Sequence, residues 1–245
     1  MDLLDIIGGA KDLQQGMQDA KDQLQKEQSL LATLNPTQKR VMQEFFKPGF
    51  GIEQKKGCFG GKTEIKTMSA SEYIDLVRNT VNSMNVKKKA LGKLGIDEDQ
   101  VTEIQPVEFQ AFKHTKDSAY KQGCSNFFEV TWLFFSANQL YAYSVVVDML
   151  SNSLKERTEE YFYKDVTNFS SSTESTEKTE AVTEIKKGGC GKADQTIYSH
   201  KKTMLEVAEF KIVVPGDAFR CAMEATDEIE KRIQGMKQKL REKKS

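Results

Sequence analysis

Two runs, FFEVTWLFFS from Phe127 and QLYAYSVVVDML from Gln139, separated by Ala137-Asn138, constrain this chain more than any other feature. Aromatic and β-branched residues fill both, which suits a pleated strand, and the short break between them reads as a hairpin turn. Along the first run Val130, Trp132 and Phe134 point one way while Leu133 and Phe135 point the other. A strand that is apolar on both faces needs cover on both, so it belongs at the centre of a sheet in a layered fold.

The flanking text continues the β pattern. Pro106 opens VEFQAFK, an alternating strand, and EEYFYKDVTNF extends the sheet. SSSTESTEKTE is too polar for a core and reads as the solvated end of a long hairpin, with AVTEI and QTIYS on either side of the tip KKGGCGK. TMLEVAEFKIVV is expected to be the final strand, stopped by Pro215-Gly216-Asp217. A second glycine tip, KKGCFGGK, is expected inside a short strand pair ending in TEIKTMS.

Helical periods occupy the two ends and one insert. Leu3, Ile6, Ala10, Leu13, Met17, Ala20 and Leu24 alternate by three and four, resuming at Leu31 and Leu34 after an interruption at Glu27. Gly8, Gly9 and Gly16 weaken this helix by about 1 kcal/mol each against alanine. Asn35-Pro36 predicts a stop, Thr37 to Phe46 a short helix, and Lys47-Pro48-Gly49 a break. Residues 1–46 therefore read as an N-terminal helical arm and 47–245 as the β domain. A helical insert near 70–104 is predicted with Ser71 as its cap and Gly95 ending one helix before Asp97 caps the next. The C-terminal helix is predicted over 218–243 on Phe219, Ala222, Thr226, Ile229, Ile233, Met236 and Leu240, projecting beyond Ile233.

A series of hairpins from about Val107 to Val214 closed by one long helix outlines a pleckstrin-homology-like (PH-like) domain. TWLFFSANQLYAYS, TEEYFYKDVTNFS and EFKIVVPGDAF followed by the helix resemble functionally uncharacterised bacterial proteins with such domains. The resemblance implies an α+β chain with a PH-like antiparallel β-sandwich or barrel whose open corner is plugged by the C-terminal helix. These motifs are strand patterns, so they imply fold rather than activity. Phosphoinositide-binding members of the wider superfamily use a basic loop between their first strands, and KKGCFGGK has that composition.

Motifs that would carry catalysis or metal fail on inspection. Counting back from Gly61-Lys62-Thr63, a phosphate-binding loop needs glycine where Lys56 stands, and the second tip ends Gly191-Lys192-Ala193 without the magnesium-binding hydroxyl. Cys58, Cys124, Cys190 and Cys221 lack CxxC spacing, so no zinc site is expected. Cys221, in AFRCAMEA, reads as a small core residue in the first turns of a helix. His114 and His200 sit among lysines in KHTK and SHKK and read as solvated side chains without an orienting acid. IDEDQ lacks the glycine of a calcium loop and reads as helix capping, while ERTEE singles out no acid–base pair. No catalytic residue, metal or cofactor is expected.

What remains is binding. Lys55, Lys56, Lys62, Lys186, Lys187 and Lys192 would form a cationic patch if the two tips lie side by side; the plainer reading is a pair of solvated turns. The terminal heptads carry opposite charge: residues 1–30 hold six acids and three bases, and 219–245 eight bases and five acids. Leu3, Ile6, Leu13, Met17 and Leu24, with Ile229, Ile233, Met236 and Leu240, are the candidate interaction positions. Thirty-six basic against thirty-six acidic residues give no global field toward nucleic acid. With no apolar run of about 18 residues and acids in the opening MDLLDIIGG, the chain is expected to be soluble and cytoplasmic. The expected function is a non-enzymatic binding or assembly module, joining a protein partner or a second copy through its terminal helices. The alternative is peripheral attachment to an anionic membrane at the inner face, through the N-terminal helix and the lysine tips.

Overall fold

In the computed structural model of the chain, residues 18–19, 21–52, 65–102, 104–186 and 195–244 are described, with 178–186 and 195–200 through the backbone alone. They fall into two units, Met1–Tyr73 with Met149–Asn152, and Ile74–Asp148 with Ser153–Ser245.

The larger unit is built outward from the two-faced strand. Strands β1 (Ile104–Phe112), β4 (Phe127–Phe135), β5 (Gln139–Asp148) and β6 (Leu154–Phe162) form an antiparallel sheet in the order β1-β4-β5-β6. The intervening β2 (Tyr120–Lys121) and β3 (Cys124–Ser125) make a small hairpin over Gln122-Gly123, both at positive φ. A second sheet joins β7 (Asn168–Lys186), β8 (Gln195–Val214) and β9 (Asp217–Met223) in that order. Among the described residues no ladder links the two sheets into a closed barrel.

Both faces of β4 are covered. Leu133 and Phe135 enter a core with Val107, Phe109, Leu140, Phe169, Phe210, Ile212 and Phe219. The Phe210 ring stacks on Phe109 at 4.8 Å and meets Phe169 at 5.9 Å. On the opposite face Val130 and Phe134 are fully buried, and helix α4 (Val86–Leu94) packs on β4 and β5. Each large side chain so enclosed contributes roughly 1.5–3 kcal/mol of transfer free energy.

The C-terminal helix α5 runs Asp227–Lys244 rather than from Ala218. The stretch read as its first turns is β9, where Cys221 pairs with Phe210 and Phe219 with Ile212. Phe219, Cys221 and Met223 are buried at period two, and this alternation prevails over the three-four spacing that also fits the same letters. Hence TMLEVAEFKIVV is the penultimate strand. β9 ends at Met223, and Thr226 opens the helix, its hydroxyl accepting from Ile229 N–H at 3.3 Å. The helix does not project beyond Ile233: Ile233, Met236 and Leu240 all lie in the core, while Ile229 packs at its edge.

The β7–β8 hairpin is long, with strands of 19 and 20 residues. Strand β9 accompanies β8 only from Ala208 to Val214, so the ladder from Glu174↔Val207 to Lys186↔Gln195 stands as a two-stranded ribbon. This accounts for the polar SSSTESTEKTE text. The insert consists of α3 (Ala70–Ser83), α4 and a short 3-10 turn, Glu98–Gln100. Ser69, not Ser71, caps α3: Ser69 Oγ accepts from Glu72 N–H at 3.3 Å and Ser69 N–H donates to Glu72 Oε2 at 2.8 Å. Gly95 ends α4 at φ 66° as expected.

In the smaller unit, residues 21–33 form helix α1, followed by α2 (Pro36–Arg40), which continues through a π-helical stretch, Val41–Phe46. Asn35 and Gln38 form a reciprocal capping box at the predicted break, with Pro36 at the first helical position. Leu31, Leu34 and Met42 pack with Phe50 and Leu150, and Phe45 stacks on Tyr73 at 4.3 Å. Glu27 interrupts the apolar seam for a local reason: its Oε2 accepts from Gly51 N–H at 2.8 Å. Gly51 has φ 69°, and a Cβ there would overlap Leu31. Residues 65–69, part of the predicted TEIKTMS strand, carry no regular structure, and Met68 N–H bonds to Glu44 O instead. The strand pair around KKGCFGGK lies outside the described residues.

Candidate functional site

Strand alternation sends Ala111, Glu129, Val146 and Lys155, then Thr131, Ser144 and Arg157, to the same face as the aromatic core. At this end of the sheets the inward residues turn from apolar to polar, and a cleft opens. Two adjoining cavities of about 380 and 350 Å³ share Lys113, Glu129, Arg157 and Arg220 in their walls.

Glu129 anchors the cleft and is 3% exposed. Lys113 Nζ approaches its two carboxylate oxygens at 3.0 and 3.1 Å, Ser144 Oγ donates at 2.8 Å and the backbone N–H of Ala222 at 2.9 Å. A carboxylate buried this deeply costs several kcal/mol in lost hydration, offset only when its lone pairs are satisfied, as they are here. The bond to Ala222 also ties β4 to β9. The other cations are similarly engaged. Arg157 meets Glu159 at 2.8 Å and lies 4.9 Å over the Phe219 ring, and Arg220 reaches Glu209 at 3.4 Å.

Cys221 lines one cavity, and burial pushes its thiol well above the ordinary cysteine range, with the Glu129 charge adding to the effect. His114 is half-buried rather than solvated, edge-on to Tyr120 at 5.8 Å. Glu156 of the ERTEE stretch is held by Lys89, by Lys93 at 3.4 Å and by the Tyr143 hydroxyl at 2.7 Å. The Lys89 bond foremost, then that from Tyr143, lowers its carboxyl to about 2. Burial first, then the neighbouring Glu156, raises the Tyr143 phenol. Among the described residues no group of His, Cys, Asp and Glu could hold a metal ion, and no helix is long and apolar enough to cross a membrane.

Of the residues singled out from sequence, Lys55, Lys56, Lys62, Lys187 and Lys192 lie outside the described residues, as do Leu3, Ile6, Leu13 and Met17. Lys186 closes β7 opposite Gln195, at the far end of the long ribbon. Leu24 is half-buried on α1. Ile233, Met236 and Leu240 are core residues of their own chain, not contact positions. Sequence reasoning missed the cleft. The available signal was Glu129 itself, an acid at inward parity with Leu133 and Phe135 inside FFEVTWLFF.

Compared with protein-family models, curated proteins and solved structures, the chain matches none.

Proposed function

We propose that the chain is a non-enzymatic binding and assembly module on a PH-like β core. Four antiparallel strands, then three, then a long helix support the PH-like reading. The observation that carries the binding role is the exposure of α1: most of 21–33 faces solvent, including Leu30 at 46%, while Leu31 is buried. A largely solvated helix with a residual apolar position is suited to a partner helix or a second copy, and in the sequence the apolar period of Leu3, Ile6, Leu13 and Met17 runs into Leu24. Against catalysis stand the occupied partners of Glu129 and Glu156 and the raised Cys221 thiol, which leave none of these groups as a ready base or nucleophile. Leu13→Asp and Leu24→Asp are expected to weaken partner capture or self-association; binding and mass unchanged in both would overturn the reading.

One observation favours attachment to an anionic membrane as a second reading: the β7–β8 ribbon outruns β9, and Lys186 closes its far end. Charge reversal at Lys186, Lys187 and Lys192, and separately at Lys55, Lys56 and Lys62, would then abolish flotation with anionic vesicles. Flotation indifferent to both sets removes the tips from the function.

A further inference from the structure

The four-stranded sheet ends at β6, and among the described residues no strand pairs with its outer edge. Bonds at the two ends of the β5–β6 ladder fix what that edge presents. Tyr163 N–H donates to Asn138 O at 3.2 Å and Asp148 N–H to Ser153 O at 3.4 Å. Both assign the odd-numbered residues of this segment to β5, and antiparallel ladders alternate. The backbone groups of Leu154, Glu156, Thr158, Glu160 and Phe162 therefore face outward. Their side chains share one face of the sheet, and the two at its ends, Leu154 and Phe162, are 47% and 52% exposed. An open edge flanked by exposed large apolar residues is a template for another strand.

We propose that β6 pairs antiparallel with β6 of a second copy about a two-fold axis at Thr158. The charge pattern selects both the occupant and the register. With Thr158 opposite its own counterpart, Leu154 meets Phe162, Arg157 meets Glu159 and Lys155 meets Tyr161 across the axis, each contact made twice. The outward N–H and C=O groups of five alternate residues then join one continuous sheet. Glu156 opposite Glu160 is the like-charged pair of this register, and Lys89 and Lys93 already stand beside Glu156. Sliding the strands by two residues either way moves the axis to Arg157 or Glu159 and sets that charge against itself, so the neighbouring registers are disfavoured. This surface is separate from the terminal helices.

Sedimentation equilibrium of the full chain tests the pairing. The wild type is expected at twice the 27.7 kDa chain mass. Arg157→Glu and Glu159→Arg each create two like-charge contacts and should raise the dimer Kd roughly tenfold, while the two together restore it. Thr158→Pro removes an outward N–H without touching the β5 ladder and should give single chains whose circular dichroism and melting remain those of folded protein. It serves as the second test should Arg157→Glu fail to fold. A wild type of single-chain mass overturns the proposal. So does a dimer that persists in Glu159→Arg and Thr158→Pro, or one that Leu13→Asp alone dissociates.

Discussion

Glu129 and Glu156 show how one residue type is put to opposite uses by its surroundings. Glu129 sits where an apolar side chain would be expected, and Lys113 is its charge partner. Lys113→Met leaves a buried, uncompensated carboxylate and should cost about 3 kcal/mol in urea denaturation. Adding Glu129→Gln, which removes the charge but keeps an acceptor for Ala222 N–H, should recover part of that loss. Glu156 is tied to Lys89 and Tyr143 near the surface, and its folded value of about 2 lies below the ordinary 4.5. A depressed carboxyl stabilises the fold above its unfolded value, so this contribution is intact at neutral pH and falls away as pH drops from about 4.5 toward 2. Glu156→Gln should flatten that acid limb in melts recorded across this range. The Cys221 thiol, buried and raised, should react with a maleimide only as fast as the unit opens.

At the scale of elements, α5 departs from the role its sequence suggests, while the β7–β8 ribbon keeps to it. The basic tail of α5 looks like a free arm, yet Ile233, Met236 and Leu240 close the core beneath it. Met236→Ala should therefore destabilise the unit by about 2–5 kcal/mol rather than alter partner binding. In the ribbon, among the described side chains, Leu205 is the one buried apolar residue. Joining Glu177 to Met204 through a two-residue turn should leave the melting temperature within a few degrees of the full chain. The central strands were legible because aromatic and β-branched residues admit few alternatives to a buried sheet. The start of α5 was not, because Phe219, Ala222 and Thr226 satisfy a helical spacing while Phe219, Cys221 and Met223 in the same stretch satisfy a strand alternation, and pairing with β8 decides between them. The cleft was hidden for a related reason: which polar residues converge depends on the register of β4, β5, β6 and β9, which no single segment encodes.

Across the whole molecule, the division into two units does not follow a single cut in the chain, since Met149–Asn152 belongs with the N-terminal residues. Leu150 packs with Leu31, Leu34 and Met42, and Asn152 Oδ1 accepts from Gln38 Nε2 at 3.0 Å. This arrangement imposes a schedule on synthesis. The N-terminal segment leaves the ribosome first but lacks its last piece until the β5–β6 turn follows. At about 5–20 residues per second that is a delay of roughly four to fifteen seconds. During it, the apolar side chains awaiting Leu150 are open to chaperones or to neighbouring nascent chains, so the order of translation, as much as the final packing, bears on how much protein a cell recovers.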